Sequence, residues 1–145
     1  MGTRLHTHFM PYTPEQLFDL VADIEKYPEF LPWCAAARIL SKSETEIVAD
    51  LSVGYKLFRE TFRSRVHLTP KTRIDVEYIT GPFQSLNNHW IFKQAPSFGT
   101  NVDFFIEFQF RNRLFQSATQ KVFEGAFNQM LSSFEKRAQQ LYGVK

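Results

Sequence analysis

The stretch RIDVEYITGPFQSLNNHWIFKQAPSFGTNVDFFIEFQF (73–110) alternates apolar and polar residues in three successive runs. Residues 73–79 set Ile74, Val76 and Tyr78 against Arg73, Asp75 and Glu77. Residues 84–93 set Leu86, Asn88, Trp90 and Phe92 against Asn87, His89, Ile91 and Lys93. Residues 101–110 set Val102, Phe104, Ile106, Phe108 and Phe110 against Asn101, Asp103, Phe105, Glu107 and Gln109. A period of two is that of a strand with one buried face. Gly81-Pro82 and the span Pro96 to Gly99 supply the turns. Consecutive strands joined by tight turns make an antiparallel meander.

The pattern extends upstream. Residues 45–53 place Ile47, Ala49, Leu51 and Val53 on one face, and Gly54-Tyr55 reads as a turn. Residues 56–68 place Phe58, Phe62, Val66 and Leu68 inward with Glu60 and Ser64 between them, and Pro70-Lys71 turns the chain. Arg59, Thr61, Arg63, Arg65 and His67 take the other face. At the start, residues 3–10 alternate Leu5, Thr7 and Phe9 with Arg4, His6 and His8, another strand. Thr13-Pro14-Glu15-Gln16 then carries an N-cap, a proline suited to the first helical position, and the glutamine of a capping box. Pro28 and Pro32 break the helical stretch that follows into short pieces.

Downstream, residues 112–142 contain no proline. Phe115, Ala118, Val122, Ala126, Met130, Phe134, Ala138 and Leu141 recur every three or four residues, with Phe123, Phe127 and Leu131 widening the stripe. This predicts an amphipathic helix of roughly eight turns, with Gly143 as its C-cap. The expected architecture is α+β, β-α-α-β(n)-α: a curved antiparallel sheet wrapped around one long C-terminal helix, the helix-grip arrangement. One helix does not fill a strongly bent sheet, so an apolar internal cavity is expected.

The chain has 145 residues, which suits one domain spanning 1–145. Hydrophobic residues make up 43% and charged residues 22%, which excludes disorder. No apolar run reaches the length of a membrane span. The N-terminus shows no apolar signal region, and after Met1-Gly2 position 6 is His, unlike a myristoylation start. The expected location is the cytoplasm, with peripheral contact at the inner membrane left open. Phenylalanine is unusually frequent, 16 residues, and must pack in a core, line a pocket or meet an apolar surface. The net charge of +2 gives no case for DNA. Cys34 is the single cysteine, which excludes a disulfide scaffold. His6 and His8 share a strand face but have no acidic or thiol ligand at metal-binding spacing, so no metal is expected. There is no phosphate loop, nucleophile elbow or HExxH helix, and no catalytic residue is assigned.

Five segments carry a family resemblance: PYTPEQLFDLVADIEKYPEFLPWC (11–34), ADLSVGYKLFRETFRSRV (49–66), RIDVEYITGPFQSLNNHWIF (73–92), VDFFIEFQF (102–110) and FEKRAQQLYG (134–143). Together they resemble the START-like coenzyme Q-binding family of the polyketide cyclase/Bet v 1-like superfamily, nearly end to end. That family includes mitochondrial coenzyme Q-binding proteins and a branch of bacterial ribosome association toxins, the RatA type. The resemblance implies a lipid-sized tunnel holding ubiquinone or another isoprenoid as ligand, no required cofactor, and support of respiration or quinone biosynthesis. The toxin branch implies an alternative: binding the large ribosomal subunit and blocking subunit association. A polyketide cyclase or aromatase activity is a third reading. It would need a buried acid or base, for which Glu60 is the sole candidate.

An apolar ligand needs apolar walls and a few polar groups that orient its head. The walls expected from the inward faces are Phe58, Phe62, Val76, Tyr78, Leu86, Trp90, Phe92, Phe104, Ile106 and Phe108. From the helix, Val122, Phe123, Ala126 and Met130 would close them. Periodicity does not separate a pocket wall from a solid core. Glu60, Ser64 and Asn88 are the inward polar groups and head-group candidates; a bulge would reverse such face assignments. Tyr27, Pro28, Phe30, Leu31, Pro32 and Trp33 form an aromatic, proline-broken segment, read as a lid or entrance, a membrane-dipping surface, or a plug. The ribbon Arg59, Arg63, Arg65 and His67 could meet phosphates, but Asp75 and Glu77 on the next strand predict cross-strand ion pairs instead.

Overall fold

The computed structural model describes residues 2–55, 58–111 and 129–144. The chain forms β1 (Gly2–Met10), α1 (Pro14–Ala22), a 3-10 helix (Ile24–Glu29), β2 (Cys34–Lys42), β3 (Glu46–Tyr55), β4 (Phe58–Thr69), β5 (Arg73–Thr80), β6 (Phe83–Gln94) and β7 (Thr100–Phe110). A C-terminal helix, α2, is described over 129–142. The seven strands make one antiparallel sheet in the order β1-β7-β6-β5-β4-β3-β2. The first strand therefore returns to pair with the last.

Local chemistry sets the element ends. Thr13 caps α1 through a reciprocal pair: Gln16 N–H donates to Thr13 Oγ1 at 3.1 Å, and Thr13 N–H donates to Gln16 Oε1 at 3.0 Å. Both satisfy amides that the first helical turn leaves without partners. Leu17, Phe18, Leu20 and Val21 form the buried face of α1. The second expected helix is the 3-10 helix, with Pro28 inside it. At the far end Gly143 adopts φ 88°, and its N–H donates to the Gln139 carbonyl at 2.9 Å, closing α2.

Strand alternation is nearly complete in β7, where Thr100, Val102, Phe104, Ile106, Phe108 and Phe110 are buried and the residues between them only partly so. The apolar side of the sheet faces α1 and α2. Phe18 of α1 packs on Phe92 of β6, and Phe134 of α2 packs on Trp90. Burying such rings at about 25 cal/mol per Å² of apolar surface is the main source of stability in a fold of this size. Tyr12 Oη donates to the Gly143 carbonyl and Tyr142 Oη to the Gln16 carbonyl, tying both ends of the chain together beside α1.

Three sequence expectations change. A strand over Cys34–Lys42 was not anticipated: β2 is an edge strand, mostly exposed, with register breaks at Cys34/Ala36 and Ile39/Ser41, so it shows no period. Gly54-Tyr55 is not a turn: β3 runs through it, and Gly54 N–H donates to the Trp33 carbonyl at 2.8 Å. Glu60 pairs with Val53, as its parity requires, but it is exposed. The β4–β5 ladder begins only at Arg63↔Thr80, so that end of β4 is paired with β3 on one side and left open on the other. Of the helix expected over 112–142, the part 112–128 lies outside the described residues, and Val122, Phe123 and Ala126 with it.

Candidate functional site: an apolar cavity under the sheet

The space between the sheet and the helices is not filled. A cavity of about 130 Å³ lies there. Val21 and Ile24 wall it from the α1 side, joined by Tyr27 of the 3-10 helix and by Trp33. β3 contributes Ala49, Leu51, Val53 and Gly54, and β4 contributes Phe62, Ser64 and Val66. Ile74 and Val76 come from β5, and Phe83, Leu86, Asn88 and Trp90 from β6. Phe104, Ile106 and Phe108 come from β7, and α2 adds Met130 and Phe134.

Most of the expected wall therefore converges on one space: Phe62, Val76, Leu86, Trp90, Phe104, Ile106, Phe108 and Met130 all reach it. Two residues do not. Phe92 is buried against Phe18 beneath α1, beyond the cavity. Tyr78 folds over the β5–β6 hairpin, where its hydroxyl accepts the Phe83 N–H at 3.0 Å and its ring meets Phe83 edge-on. The side chain of Phe58 lies outside the described residues. Ala49, Leu51, Val53, Val66 and Ile74 were legible as inward faces of their strands but not as cavity wall. Phe83 was missed because it sits at the strand's start, before a register break with β7. Phe134 is legible as part of the apolar helix stripe but not as cavity wall.

The aromatic segment after α1 divides its roles. Tyr27 and Trp33 line the cavity, while Phe30 packs edge-on against Tyr27 and Phe134. Leu31 is buried, and Pro28 and Pro32 are exposed. The Tyr27 hydroxyl donates to the Val21 carbonyl, and burial pushes it well above the usual phenol range. It is thus a wall with a committed polar tip. Cys34, just beyond, is buried, and desolvation pushes its thiol up to about 11.

Among the described residues the wall carries no carboxylate, histidine, lysine or arginine. Glu60, being exposed, does not supply one. Among the described residues of the wall, polar atoms are carried by Tyr27, Trp33, Ser64, Asn88 and Trp90. Asn88 Nδ2 donates to the Phe105 carbonyl at 2.7 Å, so this amide is tied to the β6–β7 ladder. Ser64 Oγ and Trp33 Nε1 are buried and have no hydrogen-bond partner among the described residues. A buried polar group without a partner costs about 1–3 kcal/mol, and native folds retain few of them.

The outer face of the sheet answers the question of the basic ribbon. Arg63 forms a two-toothed pair with Asp50, at 2.8 and 3.2 Å. Arg65 reaches Glu46 at 3.0 Å and Glu77 at 3.4 Å, and His67 Nε2 lies 2.9 Å from Glu77. The guanidinium of Arg63 holds the Asp50 carboxyl below its usual range, and His67 does the same for Glu77. The ribbon is largely neutralised in place.

A seven-stranded antiparallel sheet gripping a C-terminal helix over an apolar cavity is the START-like, helix-grip class of protein. The chain belongs to the polyketide cyclase / dehydrase and lipid transport family, which matches residues 10–135. It is 41% identical to the ribosome association toxin RatA of Rickettsia prowazekii, over 94% of this chain and 95% of that one. It is 29% identical to a mitochondrial coenzyme Q-binding protein, COQ10 homolog B of Xenopus laevis, over 91% of this chain and 56% of the other. Among solved structures it resembles an 18 kDa protein of Caulobacter crescentus, with 36% identity, a TM-score of 0.79 and coverage of 99% and 100%. It also superposes on the ZhuI aromatase/cyclase of a Streptomyces species, with a TM-score of 0.86 and coverage of 99% of each chain. Identity there is 18%, a likeness of fold alone. Among the described residues no helix is long and apolar enough to cross a membrane.

Proposed function

We propose that this protein acts on the ribosome, associating with the large subunit and opposing its union with the small one. The observation that carries this reading is the likeness to a ribosome association toxin along nearly the full length of both chains. The outer sheet face constrains how such contact would be made. Arg63, Arg65 and His67 of β4 are already paired, so docking on them exchanges existing ion pairs for phosphate contacts and releases few counterions. The association should then depend only shallowly on salt. Sedimentation of purified subunits with added protein tests this. The expected result is loss of joined ribosomes and co-migration of the protein with the large subunit. An unchanged gradient at low salt, with the protein in excess, overturns the reading.

A second reading is favoured by the cavity: the protein binds an apolar small molecule of the quinone or isoprenoid class. The supporting observation is a wall of Phe, Ile, Leu, Val and Trp side chains around an unfilled space. The two roles are compatible, since one uses the inside of the fold and the other the outside. Solvent extraction of protein purified without detergent, followed by mass spectrometry, tests it. A stoichiometric quinone or isoprenoid is expected. An empty extract, together with no uptake of added quinone, overturns it.

A further inference from the structure

β1 is an edge of the sheet. It pairs with β7 from Gly2 to Met10 without a register break, and among the described residues its other side makes no backbone hydrogen bond between Gly2 and Phe9. An open strand edge is a template for another strand, and folds commonly blunt it with register breaks, Lys or Pro. The opposite edge, β2, is blunted: it carries two register breaks and the exposed Arg38 and Lys42. β1 has no break, no Lys and no Pro. Its sequence also reads nearly the same in both directions about Thr7: Leu5-His6-Thr7-His8-Phe9. Antiparallel self-pairing about a two-fold axis favours that symmetry, because each residue then meets the one equally far beyond the axis. With the axis at Thr7, Leu5 stands opposite Phe9 of the second copy. Both are outer-face residues and exposed, 71% and 45%. Each extends an apolar surface: Leu5 pairs with Phe105, whose ring stacks on His89 at 5.0 Å, and Phe9 meets Phe98 edge-on at 5.9 Å. Thr3, Leu5, Thr7 and Phe9 carry no charge, so the outer faces of two copies meet there without repulsion. On the inner face His6 stands opposite His8 of the second copy, and each His8 is held by Glu135 of its own α2 at 2.6 Å.

We propose that the β1 edge is a self-association surface: two copies of this chain pair β1 with β1, antiparallel about Thr7, and join their sheets into one. The inference goes beyond both readings above and rests on neither. Main-chain hydrogen bonds along the edge supply affinity. The Leu5–Phe9 contact, made twice by the two-fold axis, fixes the register. A slip of one residue would set the outer face of one copy against the inner face of the other.

Sedimentation of the purified full chain over a range of concentrations tests this. The expected result is a reversible rise from one chain mass to two. Leu5→Lys puts a charge opposite Phe9 at both ends of the interface and should weaken the dimer about tenfold or more, while the thermal midpoint at low concentration stays the same. Register is read separately. Opposed Cα atoms in an antiparallel pair lie about 4.5–5.5 Å apart, within reach of a disulfide. Under mild oxidation Thr7→Cys should give a covalent dimer. Thr3→Cys should not, since Thr3 faces Pro11 in this register. Cys34 is buried and stays out of the reaction. A single chain mass at every concentration overturns the proposal and leaves the edge to a strand of another protein. A dimer that Leu5→Lys leaves intact, or that Thr7→Cys does not cross-link, is built on another surface or register, and either result overturns the proposal. If Leu5→Lys folds poorly, the two cysteine variants decide alone.

Discussion

Arg137 Nη2 lies 2.8 Å from Glu29 Oε1, and the same guanidinium stands 5.3 Å over the Phe30 ring. One residue of α2 thus holds the 3-10 helix by charge and its flank by a cation–π contact. The neighbouring Tyr27 and Trp33 form part of the cavity wall, so this clasp sits at the edge of the candidate site. Arg137→Gln removes the charge and the stacking plane. Amide exchange over residues 24–34 should quicken severalfold, while β6 and β7 stay protected. An equal gain across the whole sheet would show that Arg137 supports the entire fold instead.

Phe134 joins the clasp to the core. Its ring lies 5.5 Å from Tyr27, 5.2 Å from Phe30 and 5.1 Å from Trp90, and it is almost fully buried. Phe134→Ala deletes a ring from a wall that already borders a void, and should cost about 3–5 kcal/mol in urea unfolding. Phe134→Leu should cost appreciably less. A loss below about 1 kcal/mol for the alanine variant would mean that the site collapses freely around the gap.

Gly81 has φ 150°, and a Cβ there would stand 2.6 Å from Phe62 Cβ and 3.0 Å from Phe62 Cα. Gly81→Ala must push β4 away from the hairpin, at a cost of about 1–3 kcal/mol. Gly143 is the control. Its φ is also positive, 88°, but a Cβ would meet nothing within 4 Å, so Gly143→Ala should cost only the backbone term of about 1 kcal/mol. Equal thermal shifts for the two would remove the steric part of the argument.

Acid should destabilise the protein in two stages. Burial, aided by the Arg73 charge, lowers the His89 pKa in the fold. The unfolded chain therefore takes up that proton first, and stability present above about pH 6.5 fades as the pH falls through the folded value. Asp50, Glu77 and Asp103 are lowered by Arg63, His67 and Lys93 respectively. Their contribution is present above about pH 4 and is lost as the pH falls through their folded values. These pairs are exposed, so each step is small. Urea midpoints measured from about pH 8 to about pH 3 should fall in that order, and His89→Gln should abolish the upper step. A midpoint that rises on acidification contradicts the assignment.

Cys34 should be inert. With the thiol pushed up to about 11 by burial, its thiolate fraction at pH 8 is about a hundredfold below that of an ordinary thiol. Reaction with a disulfide reagent should be slowed at least that much, and urea should restore it. Rapid labelling of the folded protein would show that the segment before β2 opens readily.

Much of this was legible without coordinates. The alternation in β7, β6 and β5 placed Phe104, Ile106, Trp90, Leu86 and Val76 on the correct face, because a pleat reverses side chains at every residue. Thr13 and Gln16 announced the start of α1 because a capping box is a local hydrogen-bond pattern. β2 was not legible: an exposed edge strand with two register breaks has no face to keep apolar. Glu60 had the right parity and the wrong burial, because parity says nothing about how far the next strand extends. Tyr78 and Phe92 show the same limit, since each points inward yet is captured by a neighbour, Phe83 in one case and Phe18 in the other.

The sequence by itself determined the meander, the capped first helix, the inward faces and the family. All of these rest on short-range periodicity or on runs of matched residues. Only the tertiary structure decided where the inward faces stop short of touching. A cavity is set by the distance between a sheet and the helices laid across it, and that distance depends on strand register and on contacts such as Phe134 with Trp90. It also decided that Trp33, Ser64 and Asn88, 55 positions apart along the chain at their extremes, share one space, and that two of the three have no hydrogen-bond partner among the described residues.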